Sequence, residues 1–244
     1  KIWDDALFVF DTNVLLNLYR YPSDVAEELM ETISIFKNKI WMPHNVALEF
    51  YKNRLKVIAH QRKKITDLKS KLFDSLNNAE SFINNSDLEK KHSHVKPNDI
   101  IDILKEAREK IDVKISHFSD QQIDVHEEDK ICNRLEELYH KKVGDPFESQ
   151  EELDKLYELA SKRYEKGMPP GYKDKYKDEE DGSFFHNGIC YNNAFGDYLL
   201  WFQILEHFKN EKKTDLIFVT DDAKEDWWHS IKSPAPKIIG PRRE

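Results

Sequence analysis

At 244 residues the chain exceeds the ~100–200 residues of an ordinary domain, so it reads as one elaborated domain or as a core carrying an insertion. Charged residues make up 34%, mean hydropathy is −0.76, and no run nears the ~18–20 apolar residues of a membrane-spanning helix, which excludes such a helix. Hydrophobic residues at 39% and aromatics at 12% exclude wholesale disorder, and the net charge of −8 argues against a passive nucleic-acid coat.

In chain order, the apolar run Ala6-Leu-Phe-Val-Phe10 ends at Asp11 and reads as a buried parallel strand. Val25, Leu29, Ile33 and Phe36 follow at helical spacing, and Lys39–Met42 before Pro43 is a second candidate strand. Tyr51, Leu55, Ile58, Ile65, Leu68, Leu72 and Leu76 then predict one long amphipathic helix, and Ile100 to Phe118 another. The polar stretch Asn77–Pro97 is expected to be the turn between them. A third helix is expected around Ile131, Leu135 and Leu138, and Ser149-Gln-Glu-Glu152 is a capping box opening a further one. Five of the seven glycines fall between Gly167 and Gly196, the punctuation of a structured loop. A helix follows over Ala194–Phe208, then a strand over Thr214–Thr220 that ends at Asp221-Asp222, and a candidate edge strand at Lys237–Ile239. The expected architecture is α/β, with a core over about 1–45 and 143–244 and a helical arm inserted over about 46–142. Only two cysteines, Cys132 and Cys190, suit a reducing cytoplasm. The chain opens at Lys1 without a secretory leader and is expected to be a piece of a longer protein.

Asp11 and Asp221-Asp222 each follow an apolar strand, so in a parallel sheet they emerge at one carboxyl edge, where open α/β sheets bind ligands. Glu49 and Asp197, each near the start of a helix, can join them. Clustered carboxylates need a compensating cation, and hard oxygen donors point to Mg²⁺ or Mn²⁺. Such a site activates water and stabilises a phosphodiester transition state. Taken singly, Asp11 and Asp197 also read as helix caps and the aspartate pair as a turn. Between Lys52 and Lys71, eight basic residues (Lys52, Arg54, Lys56, Arg62, Lys63, Lys64, Lys69 and Lys71) face the single acid Asp67. That strip suits a phosphate backbone or a solvated helix face.

The ordered set of Val-Phe-Asp11-Thr12-Asn13-Val-Leu-Leu, Pro43-His-Asn-Val-Ala-Leu-Glu49-Phe, Pro169-Pro-Gly171-Tyr-Lys173-Asp174, Phe195-Gly196-Asp197-Tyr-Leu-Leu-Trp201, and Val219-Thr220-Asp221-Asp222 followed by Lys224-Glu-Asp-Trp-Trp228 resembles the PIN-like domain nucleases. The resemblance is to a bacterial branch with a helical insertion and a Pro-Pro-Gly-Tyr-Lys-Asp loop. It implies a metal-dependent nuclease, most often acting on RNA, with Asp11, Glu49, Asp197 and the Asp221/Asp222 pair at the metal and Asp222 favoured within the pair. It also implies toxin or phage-defence settings, and with them a further domain, partner subunit or antitoxin. Asn13 and Thr220 read as groups that orient the carboxylates, or as ordinary turn residues. Lys173 is expected to meet the scissile phosphate, with Asp174 holding it or joining the metal, although Lys175 and Lys177 compete for that role and the loop also reads as a packed turn.

Other chemistries lack their residues. His92 and His94 have no partners at zinc-ligand spacing, and no phosphate-binding or dinucleotide glycine motif occurs. Trp227-Trp228 reads as a core anchor more readily than as a base-stacking platform. A catalytically idle nucleic-acid-binding or scaffold module is the alternative function, with DNA as the second choice of substrate.

Overall fold

The computed structural model of the chain describes residues 2–86, 96–175, 182–211, 215–231 and 237–242. Strand β1, Leu7–Phe10, is buried at every position and pairs in parallel with β4, Leu216–Val219, in a register running from Leu7↔Leu216 to Phe10↔Val219. An unbroken apolar run is what a strand covered on both faces requires. Single parallel bridges, Phe8↔Ile40 and Met42↔Val143, continue the layer on the other side of β1. The expected strand at Lys39–Met42 is thus narrowed to isolated bridges, because Pro43 has no N–H to extend the ladder and the helix begins at His44.

The helices are α1 (Ile2–Asp5), α2 (Thr12–Leu16), α3 (Ser23–Ile35), α4 (His44–Asn84), α5 (Pro97–Asp120), α6 (Lys130–Leu138), α7 (Gln150–Glu165) and α8 (Gly196–Glu211). Helix α7 starts where the capping box places it: the Ser149 hydroxyl accepts from Glu152 N, and the Glu152 carboxylate accepts from Glu148 N. Leu48, Phe147, Leu153, Leu156, Tyr191 and Leu199 form a buried cluster that fastens α4, α7 and α8 together. Burying side chains of this kind contributes about 1.5–3 kcal/mol each. Among the described residues no helix is long and apolar enough to cross a membrane.

Within the glycine-rich stretch, expected as a loop, the structure has regular pairing. Strands β2 (Ser183–His186) and β3 (Ile189–Asn192) form an antiparallel hairpin whose two turn residues, Asn187 and Gly188, both have positive φ. Lys237–Pro241 (β6) pairs with Trp228–Ile231 (β5) as a separate antiparallel ribbon and not at the edge of the parallel layer. The strand expected from Thr214 is observed from Leu216, and Thr214 itself lies outside the described residues.

The molecule divides into two compact units, Lys1–Asn53 with Lys130–Glu244, and Arg54–Asp129. The second unit holds α4 from Arg54 onward and α5. The Lys69–Asp112 ion pair and the Arg108–Asn77 hydrogen bond link them, and Arg62 pairs with Asp124 just past the end of α5, so the two helices run antiparallel. The first helix runs through much of the stretch expected as a turn, to Asn84, and Pro97 sits in the first turn of α5, where its missing N–H is harmless. Residues 87–95, with His92 and His94, lie outside the described residues.

Candidate metal centre

Asp11 ends β1 and caps α2, its Oδ1 accepting from Thr12 N at 2.8 Å. The ladder continues one step past the strand, Asp11 N donating to Val219 O at 2.9 Å, and this sets Asp11 beside the turn after β4. Its Oδ2 accepts from Asn13 Nδ2 and Thr220 Oγ1, both at 2.7 Å. Asn13 Oδ1 in turn accepts from Asp221 N at 2.9 Å, and Thr220 Oγ1 accepts from Asp222 N at 3.0 Å. Asp11 therefore caps its helix and faces the other carboxylates at once, so the two readings of it are compatible. Glu49, on α4, accepts from Thr12 Oγ1 at 3.0 Å.

Asp197 lies in the first turn of α8. Its Oδ2 accepts from Trp227 Nε1 at 3.2 Å and Lys224 Nζ at 3.4 Å. Asp174 reaches the same place from the Pro-Pro-Gly-Tyr-Lys-Asp loop. Gly171 there has φ +92°, and a Cβ on it would run into the Tyr164 hydroxyl and Asp197 Cβ, so glycine is required for the short 3₁₀ turn Tyr172–Asp174 to lie against α8. Asp174 is buried, with Lys224 Nζ 2.9 Å from its Oδ2. Asp222 Oδ2 lies 3.0 Å from the same ammonium.

The two halves of the aspartate pair diverge. Asp222 faces this cluster, whereas Asp221 Oδ2 accepts from Asn17 Nδ2 at 3.0 Å. The Lys173 ammonium is half-exposed and paired with Glu225, which raises its pKa above the ordinary lysine value. Lys173 N donates to Asp226, a fully buried carboxylate whose Oδ1 has no hydrogen-bond partner among the described residues. Lys177 lies outside the described residues.

In the basic strip, Lys52 Nζ donates to Asn193 Oδ1 at 2.8 Å and sits 4.1 Å from the centre of the Phe184 ring. Arg54 pairs with Asp129 at 2.6 Å and Arg62 with Asp124, while Lys56, Lys63 and Lys64 are exposed. Two of the strip's eight charges are thus met by acids that follow α5, and Lys69 is met by Asp112 within it.

Burial and neighbouring acids both act on Asp11 and Asp197. Burial pushes Asp11 up to about 6; the Thr220 and Thr12 hydrogen bonds oppose this, and the Glu49 and Asp222 charges add to it. Asp197 is likewise pushed up to about 6 by burial, with Lys224 and the Trp227 hydrogen bond opposing and Asp174 and Asp11 adding. Five carboxylates supplying hard oxygen donors fit a divalent cation in chemistry and in charge. Among the described residues, however, no three His, Cys, Asp or Glu side chains are arranged to close on one ion. Where Asp174, Asp197 and Asp222 come together stands Lys224.

Lys224 and Trp227 are the site residues that sequence reasoning passes over. Both fall in the stretch that carries the resemblance, but a lysine among acids has no motif of its own.

Residues 7–244 match the family described as "PIN like domain", and the chain belongs to that family. PIN domains are in general metal-dependent nucleases, and the parallel β1–β4 pair flanked by helices is consistent with their fold. No curated protein and no solved structure matches the chain.

Proposed function

We propose that the chain is a Mg²⁺- or Mn²⁺-dependent endonuclease that hydrolyses phosphodiester bonds in RNA, with DNA as the second choice. What supports this reading is that carboxylates gather near the carboxyl ends of two parallel strands: Asp11 shares Thr12 with Glu49, Asp197 and Asp222 share Lys224, and burial with the neighbouring acids pushes Asp11 and Asp197 up to about 6. Asp11, Glu49, Asp197 and Asp222 would hold the ion, and Asp174 would join them or steady the lysines. Bound there, a divalent ion supplies an activated water and a counter-charge for the phosphate oxygens.

The chain's own groups do the rest. Asn13 and Thr220 fix Asp11 Oδ2, and Thr12 fixes Glu49, so the carboxylates are oriented before substrate arrives. Lys173 offers a point charge at the rim. Its present partner, Glu225, is itself well exposed, and an ion pair open to water is weak, so exchange for a phosphate oxygen is inexpensive. Lys52, Arg54, Lys56, Arg62, Lys63 and Lys64 are proposed to track the nucleic-acid backbone. A toxin or phage-defence effector of the bacterial branch with a helical insertion, acting in the cytoplasm and restrained by a partner or antitoxin, is the setting this reading favours.

A second reading has one observation of its own. An ammonium lodged among Asp174, Asp197 and Asp222 is what an idle, metal-free scaffold would use to hold its carboxylates together. Incubation of the protein with mixed RNA and DNA in Mg²⁺, Mn²⁺ or chelator, beside Asp11→Asn, separates the two. Cleavage that needs metal and is lost in Asp11→Asn supports the nuclease. No cleavage by the parent under any condition supports the scaffold.

A further inference from the structure

We infer that Lys224 is a built-in counter-cation of the carboxylate cluster, and that a divalent ion binds by displacing its ammonium. The inference rests on the proposed metal-dependent reading and adds to it how this site is kept before metal arrives.

The ammonium has three donors, and three carboxylates surround it: Asp174 at 2.9 Å, Asp222 at 3.0 Å and Asp197 at 3.4 Å. These come from three separate stretches of chain, the 3₁₀ turn after Gly171, the loop after β4 and the first turn of α8. Without a positive charge between them they would repel, so the lysine lets the site form in the absence of metal. The compensation is incomplete, since one positive charge faces three negative ones, with Asp11 and Glu49 adjoining. A divalent ion neutralises more of that charge than the ammonium can. The two cannot share the same oxygens, because like charges held that close repel strongly outside bulk water.

The backbone at Lys224 is held by hydrogen bonds, and its side chain borders solvent. Lys224 N donates to Asp222 Oδ1 at 2.7 Å, and Lys224 O accepts from Trp227 N at 3.1 Å and Trp228 N at 3.2 Å. The side chain is 34% exposed on a flexible four-carbon stem, so the ammonium can leave toward solvent without disturbing the turn that carries Asp222. Metal binding is then an exchange, and apparent affinity is reduced by whatever holds the lysine in place.

The test is calorimetric titration of the whole chain with Mn²⁺, without nucleic acid, comparing the parent with Lys224→Gln, beside thermal melting in chelator. Displacement requires Lys224→Gln to bind Mn²⁺ about ten-fold more tightly or better, and to melt lower in chelator with a larger Mn²⁺-induced rise than the parent. Equal or weaker Mn²⁺ binding by Lys224→Gln, with the parent binding normally, overturns displacement and leaves the metal-dependent reading standing. Absence of Mn²⁺ binding in both chains overturns the two together. Should Lys224→Gln fail to fold, the parent alone suffices: amine acylation at Lys224, read by peptide mass spectrometry, must accelerate when Mn²⁺ is added, and an unchanged rate overturns the inference.

Discussion

Thr220 Oγ1 donates to Asp11 Oδ2 at 2.7 Å, joining the residue after β1 to the residue after β4 across the parallel pair. This bond stabilises the charged form of a carboxylate that burial disfavours. Thr220→Val keeps the shape and removes the donor, so Asp11 should hold its proton more strongly and lose its orientation. Loss of such a supporting partner typically costs about 10–100-fold in metal affinity or activity. Mn²⁺ titration and initial rates, measured together, check both.

Asp11→Asn should abolish metal-dependent cleavage. Asparagine has one carbonyl oxygen where aspartate uses two, so it cannot satisfy Thr12 N and Asn13 Nδ2 together, and a stability loss on the order of 1 kcal/mol is expected as well. Circular dichroism melting alongside single-turnover cleavage distinguishes loss of chemistry from loss of fold. Parent-level cleavage by Asp11→Asn would remove this residue from the site.

The pH dependence has a definite sign. Asp11 and Asp197 each rise from the ordinary 3.8 to about 6 in the folded chain, so each favours folding most fully below about 3.8 and loses that contribution as pH climbs through about 6. In chelator, the protein should therefore gain stability on acidification from pH 7.5 to 5.5, by under about 1 kcal/mol per group. Mn²⁺ affinity should weaken over the same interval as protons compete for the ligands. A melting temperature that falls steadily from pH 7.5 to 5.5 would contradict the assignment.

Gly171→Ala places a side chain where φ is +92° and where Tyr164 and Asp197 already stand. The backbone cost alone is roughly 1–2 kcal/mol, and the clash adds to it by pushing Asp174 away from Lys224. Lowered melting temperature together with weakened Mn²⁺ binding is the expected result; Gly167→Ala, also at positive φ but with nothing within 4 Å of the new Cβ, should show only the first.

Triple charge reversal of Lys56, Lys63 and Lys64, all exposed, should weaken RNA binding and reduce the salt slope by about 0.7 for each single-strand phosphate that is no longer neutralised. Arg54 and Arg62 already face Asp129 and Asp124, so reversing them would disturb ion pairs of the helical unit instead. An untouched salt slope would make the strip a solvated face.

Much of the parallel pair is legible in the sequence because β1, buried at every position, and β4, half-buried, are both unbroken apolar runs, and Asp11 and Asp222 stand close after them. The long helices declare themselves through their three- and four-residue spacing. The β2–β3 hairpin does not, although Asn187-Gly188 between Ser-Phe-Phe-His and Ile-Cys-Tyr-Asn is a strong two-residue turn signal, because the surrounding glycines suggest only a loop. The roles of Lys224 and of Asp174 toward it are hidden for a different reason: they depend on which acids meet in space, and spacing along the chain carries no record of that. Nor does spacing show that Asp221 Oδ2 accepts from Asn17 while Asp222 faces Lys224.

The order in which the site's parts lie along the chain has a consequence for timing. Asp11 and Glu49 leave the ribosome early, but Asp174, Asp197 and finally Thr220, Asp222 and Lys224 come much later, and β1 has no parallel neighbour across from Thr220 until Leu216–Val219 has emerged. A growing chain therefore carries Asp11 and Glu49 with Thr12 and Asn13 beside them, but without Thr220 and without the acids that surround Lys224. If the proposed nuclease reading holds, RNA, including the message being translated, is safe from the nascent polypeptide until β4 and the turn after it are out.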